Sequence, residues 1–441
     1  MRIGFVSLPL SGHLHPMSAL ARKLKSRGHE VVFLGLPDVG PIVRAAGLDL
    51  VPYGETEYPV GSVAEACVPI SKLHGIEVIL YQLRKLSLPI AAVTFAHLPR
   101  KLVEVGIEAL VLDASHRFME LVPMQLGIPF VQIWNVLQLD LSGTSPMCFF
   151  SSPYEISEQA SQRNEEDFRV IGQALKPMVE VAMAHAKKVG LEVDWATPGS
   201  TSSKLAIIAQ TPKEFDFPGI PWPESFYYAG PFHDDQGRAS APFPWEKLTG
   251  APLIYASLGT LVNGLDEIYK TILAAVGRIP NVQVVLSIGE NIEPDSLGRI
   301  PSHTIVVRTA PQIELLKRAE LCITHAGLNT ALESLAQGVP MVAIPIGYDQ
   351  PGVAARIAYH GVGEFIEVDD LNVDGLTGLI ETVLNQTKYH DKAREFQKVI
   401  AETRGLDRAA DIIEQVFGQE QLHKDLRKDA AQQIRERPNH T

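Results

Sequence analysis

Between Leu321 and Pro345 two short apolar runs flank a turn and a helix, and no other stretch constrains the fold as much. Leu321 to Thr324 reads as a strand and His325-Ala326-Gly327 as a turn. Asn329 to Gln337 reads as a helix stopped by Gly338, and Met341 to Pro345 as the next buried strand. Strands joined through a helix run parallel, because only a crossover of a dozen or more residues returns the chain to the same edge. A parallel sheet needs helices on both faces, so the expected class is α/β. A short amphipathic helix, Pro311 to Arg318, precedes this unit, and a polar loop with Asp349 and Gln350 follows it.

The same alternation opens the chain. Arg2 to Ser7 reads as a strand and Leu8 to His15 as a loop. A helix follows, with Pro16 in its first turn and Gly28 just past its end. Glu30 to Gly35, a helix from Val39 to Ala46 and a strand from Leu48 to Pro52 complete a doubly wound opening. No Gly-x-Gly-x-x-Gly follows the first strand, which disfavours a dinucleotide oxidoreductase. Later strands end at Asp113 and Asn135, and Leu205 to Ala209 reads as the last strand of this half. Tyr53 to Pro99 is long, apolar and partly helical, and Ser145 to Gly199 reads as insertions with helical stretches. A second α/β run starts at Leu253. At 441 residues the chain exceeds one ordinary core. The expected organisation is two doubly wound domains, 1–210 and 253–405, joined by a Pro- and Gly-rich linker, 211–252. Beyond 405, Asp407 to Phe417 reads as a packing helix and Gln419 to Thr441 as frayed or disordered.

Composition narrows the partners. A net charge of −12 argues against nucleic acid or an anionic membrane as the partner. Cys67, Cys148 and Cys322 are far apart and form no Cys-x-x-Cys, so neither a disulfide framework nor a zinc site is implied. A strand begins at once without a signal-peptide pattern, and no apolar run reaches the ~18 residues of a membrane span. The expected compartment is the cytoplasm.

The polar residues of the Thr309–Gly352 stretch fall where a nucleotide sugar would need them. A helix start leaves N–H groups unpaired and carries partial positive charge, which suits a diphosphate. Gly327 permits close backbone approach, His325 can donate to a phosphate oxygen, and Asn329 and Thr330 can cap the helix or reach the same oxygens. Glu333, one turn on, can accept two vicinal ribose hydroxyls, and Asp349 and Gln350 suit the hydroxyls of a sugar.

The spaced pattern His-x-Gly-x-Asn-Thr-x-x-Glu, then Gly-Val-Pro, then Asp-Gln resembles the donor-binding motif of family 1 UDP-glycosyltransferases. The continuation Asp349 to Gly363 is most similar to the bacterial carotenoid glucosyltransferase branch. The resemblance implies the glycosyltransferase B arrangement, with two Rossmann-like domains across a cleft. Thr309 and Ala310 stand in the nucleoside segment, and Thr309 occupies the place where many members put a Trp that stacks on uracil. That departure loosens the implied preference for UDP. Gln312 matches a nucleoside contact. Ser257, Gly259 and Thr260, in Ala-Ser-Leu-Gly-Thr, match the segment that closes on the β-phosphate, and Asn135 matches a strand end near the donor sugar. His13 matches the family's catalytic histidine and Asp113 its partner. His15 is read as structural or peripheral, and His116 as a surface helix residue.

By residue chemistry alone, His13 and Asp113 meet only if their strands are neighbours at the sheet's switch point. A carboxylate on one imidazole nitrogen then leaves the other free to take a hydroxyl proton. The expected activity is inverting transfer of a hexose, glucose by resemblance, from a UDP-sugar to a hydroxyl of a lipophilic small molecule. The carotenoid, polyketide and phenolic classes all suit such an apolar wall, and a carotenoid acceptor would bring peripheral membrane contact. No Asp-x-Asp occurs, so a metal-independent enzyme with no cofactor beyond the UDP-sugar is expected. A UDP-sugar epimerase of the same fold and a non-catalytic nucleotide-sugar binder are the competing readings.

Overall fold

Thirteen strands are arranged in two parallel sheets in the computed structural model, which describes residues 1–234 and 241–436, with side chains to residue 422. The first sheet comprises β1 (Arg2–Val6), β2 (Glu30–Gly35), β3 (Asp49–Pro52), β4 (Ala109–Asp113), β5 (Phe130–Trp134), β6 (Ile207–Ala209) and β7 (Phe226–Tyr228). Their order is β3-β2-β1-β4-β5-β6-β7. The second comprises β8 (Leu253–Ser257), β9 (Gln283–Ser287), β10 (Thr304–Val307), β11 (Ala319–Thr324), β12 (Met341–Ala343) and β13 (Gly363–Phe365), in the order β10-β9-β8-β11-β12-β13. The central strands β4 and β8 are buried along their whole length, as strands covered on both faces must be.

The two orders are the same but for β7, which extends the first sheet by one strand. In each half the chain winds outward from its first strand, then returns to pair the fourth on that strand's other side. The switch points therefore lie between β1 and β4 and between β8 and β11. The sequence shows two halves alike in kind, and the pairing makes them alike in topology.

Four expectations are corrected. The first helix runs from Ser11 to Ser26, so His13 sits in its first turn and Pro16 is inside it. Proline has no N–H to give the Gly12 carbonyl one turn back, and Asn329 Nδ2 of the other half donates to that oxygen at 2.9 Å. Strand β7 falls inside the stretch read as linker, and residues 235–240 of that stretch lie outside the described residues. Between 145 and 199 a single 32-residue helix, Glu158–Val189, is capped by Ser157, whose hydroxyl accepts from Ala160 N at 3.1 Å. Pro177 and long charged faces hide it from a pattern search, but its buried residues Ala160, Asn164, Ile171, Met178, Ala182 and Ala186 recur at helical spacing.

The fourth correction concerns the tail. The helix Gly405–Glu436 continues well past Phe417, and residues 437–441 lie outside the description. It returns to the first half: Ala409, Ala410, Ile413 and Phe417 join the core beneath the first sheet. Arg27 bridges Asp407 at 3.0 Å, Asp411 at 2.6 Å and Glu414 at 2.8 Å. Although no uninterrupted apolar run has the length of a membrane span, the helical stretch Ile76–Val105 is, by length and composition, long and apolar enough to cross a membrane, which the sequence expectation did not foresee. Val78, Leu86, Ile90, Leu98 and Leu102 bury one face of it in a core cluster that draws on both halves.

Candidate active site

A cleft of about 1010 Å³ opens between the two halves, lined by the loops at the carboxyl ends of both sheets. Switch points are where open α/β sheets leave such a crevice, and here two of them face each other. His13 follows β1 and Asp113 ends β4. Because these strands pair with Val6 opposite Leu112, His13 Nδ1 and Asp113 Oδ2 come to 2.9 Å. Asp113 is wholly buried and saturated: its Oδ2 also accepts from Ser7 Oγ at 2.9 Å, and its Oδ1 from Ser115 N at 3.0 Å. Burial alone would raise the Asp113 carboxyl, but the charge and hydrogen bond of His13 outweigh it and bring it down to about 2. For His13, burial pulls the imidazole down, yet the Asp113 charge and hydrogen bond, with a smaller push from Asp349, leave it above its ordinary value.

Across the cleft the helix Leu328–Ala336 begins at Gly327 with no side-chain cap and no acidic residue in its first turn. Its positive end therefore faces the cleft uncompensated. His325 is packed tightly there: a Cβ at Gly259 would lie 2.6 Å from its Nε2, and one at Gly327 would lie 2.5 Å away. The closeness Gly327 allows is to this ring, while the left-handed residue of the turn is Ala326, at φ 62°. Burial pushes His325 down to about 4, offset in part by the Ser257 backbone, so it is neutral at pH 7 and its buried Nδ1 is unpaired. Glu333 is buried and accepts from Gln312 Nε2 at 2.6 Å, and Tyr255 OH donates to Gln312 Oε1 at 3.0 Å.

Most of the residues singled out by sequence line this one cleft: His13, Ser257, Gly259, Thr260, Thr309, Ala310, Gln312, His325, Gly327, Asn329, Thr330, Glu333, Asp349 and Gln350. Several are already engaged in holding the halves together. Asn329 does not cap its helix: besides Gly12 O, it meets Gln210, whose Nε2 donates to its Oδ1 at 2.8 Å. Thr260 Oγ1 and Ser11 Oγ are 2.8 Å apart. Asp349 Oδ2 accepts from Leu137 N at 2.8 Å, while Gln350 Oε1 takes the Ile346 and Gly347 amides within its own half. Asp349 follows Tyr348, a second left-handed residue, at φ 57°.

Asn135 is not in the cleft wall. It is fully buried and braces the first helix, its Nδ2 donating to His13 O at 3.4 Å. His116 is no surface residue: it is 4% exposed in the loop after β4, both ring nitrogens lack partners, and burial brings it down to about 4. His15 lines the cleft beside His13. Sequence reading passed over Ser115 and Arg117, which also line it. Their only signal was proximity to Asp113, since a loop following a switch-point strand faces the crevice. Among the described residues no group of three or more His, Cys, Asp or Glu is arranged to hold a metal ion.

Residues 245–432 match the family described as UDP-glucoronosyl and UDP-glucosyl transferase. The chain is 26% identical to the zeaxanthin glucosyltransferase of Pantoea ananas, over 93% of its own length and 95% of that protein. It is also 26% identical to the NDP-glycosyltransferase YjiC of Bacillus subtilis strain 168, over 93% and 96%. Among solved structures, the glycotransferase of kitacinnamycin superposes with a TM-score of 0.72 at 24% identity, covering 94% of this chain and 98% of that one. The fold is thus the glycosyltransferase B arrangement, two doubly wound sheets across a cleft. With the family match confined to the second half and full-length likeness to two glycosyltransferases, the chain is similar to the UDP-glucoronosyl and UDP-glucosyl transferases there and is a glycosyltransferase.

Proposed function

We propose that the protein transfers a hexose, glucose in the first instance, from a UDP-sugar to a hydroxyl group of a lipophilic small molecule, with inversion and without a metal. The observation that carries this reading is the His13–Asp113 pair facing an uncapped helix start across one cleft. In the first half, His13 Nε2 takes the acceptor's hydroxyl proton. The acceptor oxygen attacks the anomeric carbon from the face opposite UDP, and the bond from that carbon to the β-phosphate oxygen breaks. Asp113 holds the tautomer and stabilises the imidazolium. In the second half, the Leu328 to Thr330 amides, His325 and Ser257 receive the charge that develops on the diphosphate. Glu333 and Gln312 serve the nucleoside, and Asp349 and Gln350 the sugar. The relatives named for zeaxanthin and for nucleoside diphosphates in general support an apolar acceptor and a donor whose base is loosely specified, consistent with Thr309.

The deciding assay incubates the protein with UDP-glucose in EDTA-containing buffer, with and without a panel of phenols and long-chain alcohols, and follows UDP release and product mass. Acceptor-dependent UDP release supports transfer. Donor isomerisation without acceptor identifies an epimerase, and UDP-glucose binding without turnover identifies a binder. Either result overturns the proposal.

Two further results are expected. A base must be neutral to act, and His13 is held above its ordinary value by Asp113. The acidic limb of the kcat/KM profile should therefore have its midpoint above ~6.5. Asp113→Asn should move that midpoint down as well as slow turnover, and an unmoved limb would dissociate it from His13. For His325→Ala, UDP affinity measured by calorimetry should fall ~10- to 100-fold, the worth of a buried hydrogen bond to a charged group. Wild-type affinity would place the diphosphate elsewhere.

A further inference from the structure

The loop that follows β4 carries two donors that the transfer step does not use. Ser115 Oγ is buried and has no hydrogen-bond partner, although Ser115 lines the cleft. Arg117, two residues on, lines it too, and among the described residues its guanidinium makes no hydrogen bond or ion pair. The carboxyl with most influence on it is Glu120, which is itself buried and accepts from Thr201 Oγ1 at 2.7 Å. Burial drives the Glu120 carboxyl up, offset in part by the Thr201 hydroxyl, and the Arg117 guanidinium down, offset in part by the Glu120 charge. Arg117 is half-buried and keeps its proton, so it brings to the cleft wall a charge that an anionic ligand can meet. The same cleft is walled by Leu137, Leu139, Phe149, Ile171 and Leu175.

We propose that the acceptor is an amphipathic acid, whose apolar body lies on this wall while its carboxylate is held by Ser115 Oγ and the Arg117 guanidinium. This rests on the transferase reading and names the class of substrate it uses. A guanidinium and a hydroxyl two residues apart present donors to both oxygens of a carboxylate. The same loop also fixes the base, because Ser115 N donates to Asp113 Oδ1 at 3.0 Å. Anchoring the carboxylate there registers the far hydroxyl against His13. The carboxylate is not the nucleophile, so the product is an alkali-stable glucoside rather than an ester.

The test uses the purified full chain, UDP-glucose and two acceptor pairs: para-hydroxycinnamic acid with its methyl ester, and omega-hydroxylauric acid with its methyl ester. Wild-type kcat/KM should favour the acid over the ester at least about tenfold in one pair, with an alkali-stable product. Arg117→Gln should bring that ratio close to one, chiefly through the KM of the acid, and Arg117→Lys should keep part of it. Ser115→Ala should lower it by a smaller factor. UDP affinity and melting temperature, measured on each variant, separate this effect from misfolding. A wild-type ratio near one in both pairs, or a ratio that survives Arg117→Gln, overturns the inference while ester glucosylation leaves the transferase reading intact. No UDP release with any of the four acceptors, or with the neutral panel, overturns both.

Discussion

His13→Ala should lower kcat by ~10²- to 10⁴-fold while leaving UDP affinity within about twofold of wild type, the pattern of a lost general base. The split follows from position. His13 lies in the first half, its ring tied to Asp113, and the donor-side groups His325, Glu333 and Gln312 all belong to the second. Two nearby histidines serve as controls. His116 is buried with no partner and does not line the cleft, so it has no route to an acceptor hydroxyl. His15 lines the cleft, but the carboxylate that orients a base is on His13. Single-turnover rates and UDP calorimetry on the three alanine variants would decide. Loss of rate at His15 instead of His13 would reassign the base.

The donor half was legible in the sequence because its chemistry is local. From Leu321 to Gln350 the strand, turn, helix and loop follow one another in the chain, so spacing alone brings His325, Glu333 and Asp349 to one edge. The His13–Asp113 pair was legible only conditionally. The two residues are 100 positions apart, and what joins them is the pairing of β1 with β4, which no local pattern encodes. Asn135 and His116 were misplaced for the same reason. His116 follows β4 and Asn135 follows β5, and side-chain direction after a strand end depends on the loop's own turn. The contacts between halves were invisible altogether, such as Asn329 on Gly12 O, because they need both sheets in place.

A buried charge pair among those contacts carries the largest expected effect on stability. Arg356, on the helix Gln350–Tyr359 of the second half, donates from Nη2 and Nε to Asp216 Oδ1 at 2.7 and 3.1 Å. Asp216 belongs to the segment after β6, in the first half. The two side chains are 3% and 1% exposed. Tyr228 OH and Gln138 Nε2 donate to Asp216 Oδ2, each at 2.7 Å, and the guanidinium lies 4.1 Å over the Phe217 ring. Each carboxylate oxygen accepts more than one hydrogen bond, so removing one partner strands a charge that water does not reach. Arg356→Met should therefore cost ~3–5 kcal/mol in urea unfolding. The double variant Arg356→Met with Asp216→Asn should recover much of that, because amide and thioether carry no charge to strand. The same helix starts one residue after Asp349, whose carboxylate is held by Leu137 N, so the single variant should also raise the KM for UDP-glucose. A cost below ~1 kcal/mol, or a double variant no more stable than the single one, would mean that the charge pair does not fasten the two halves.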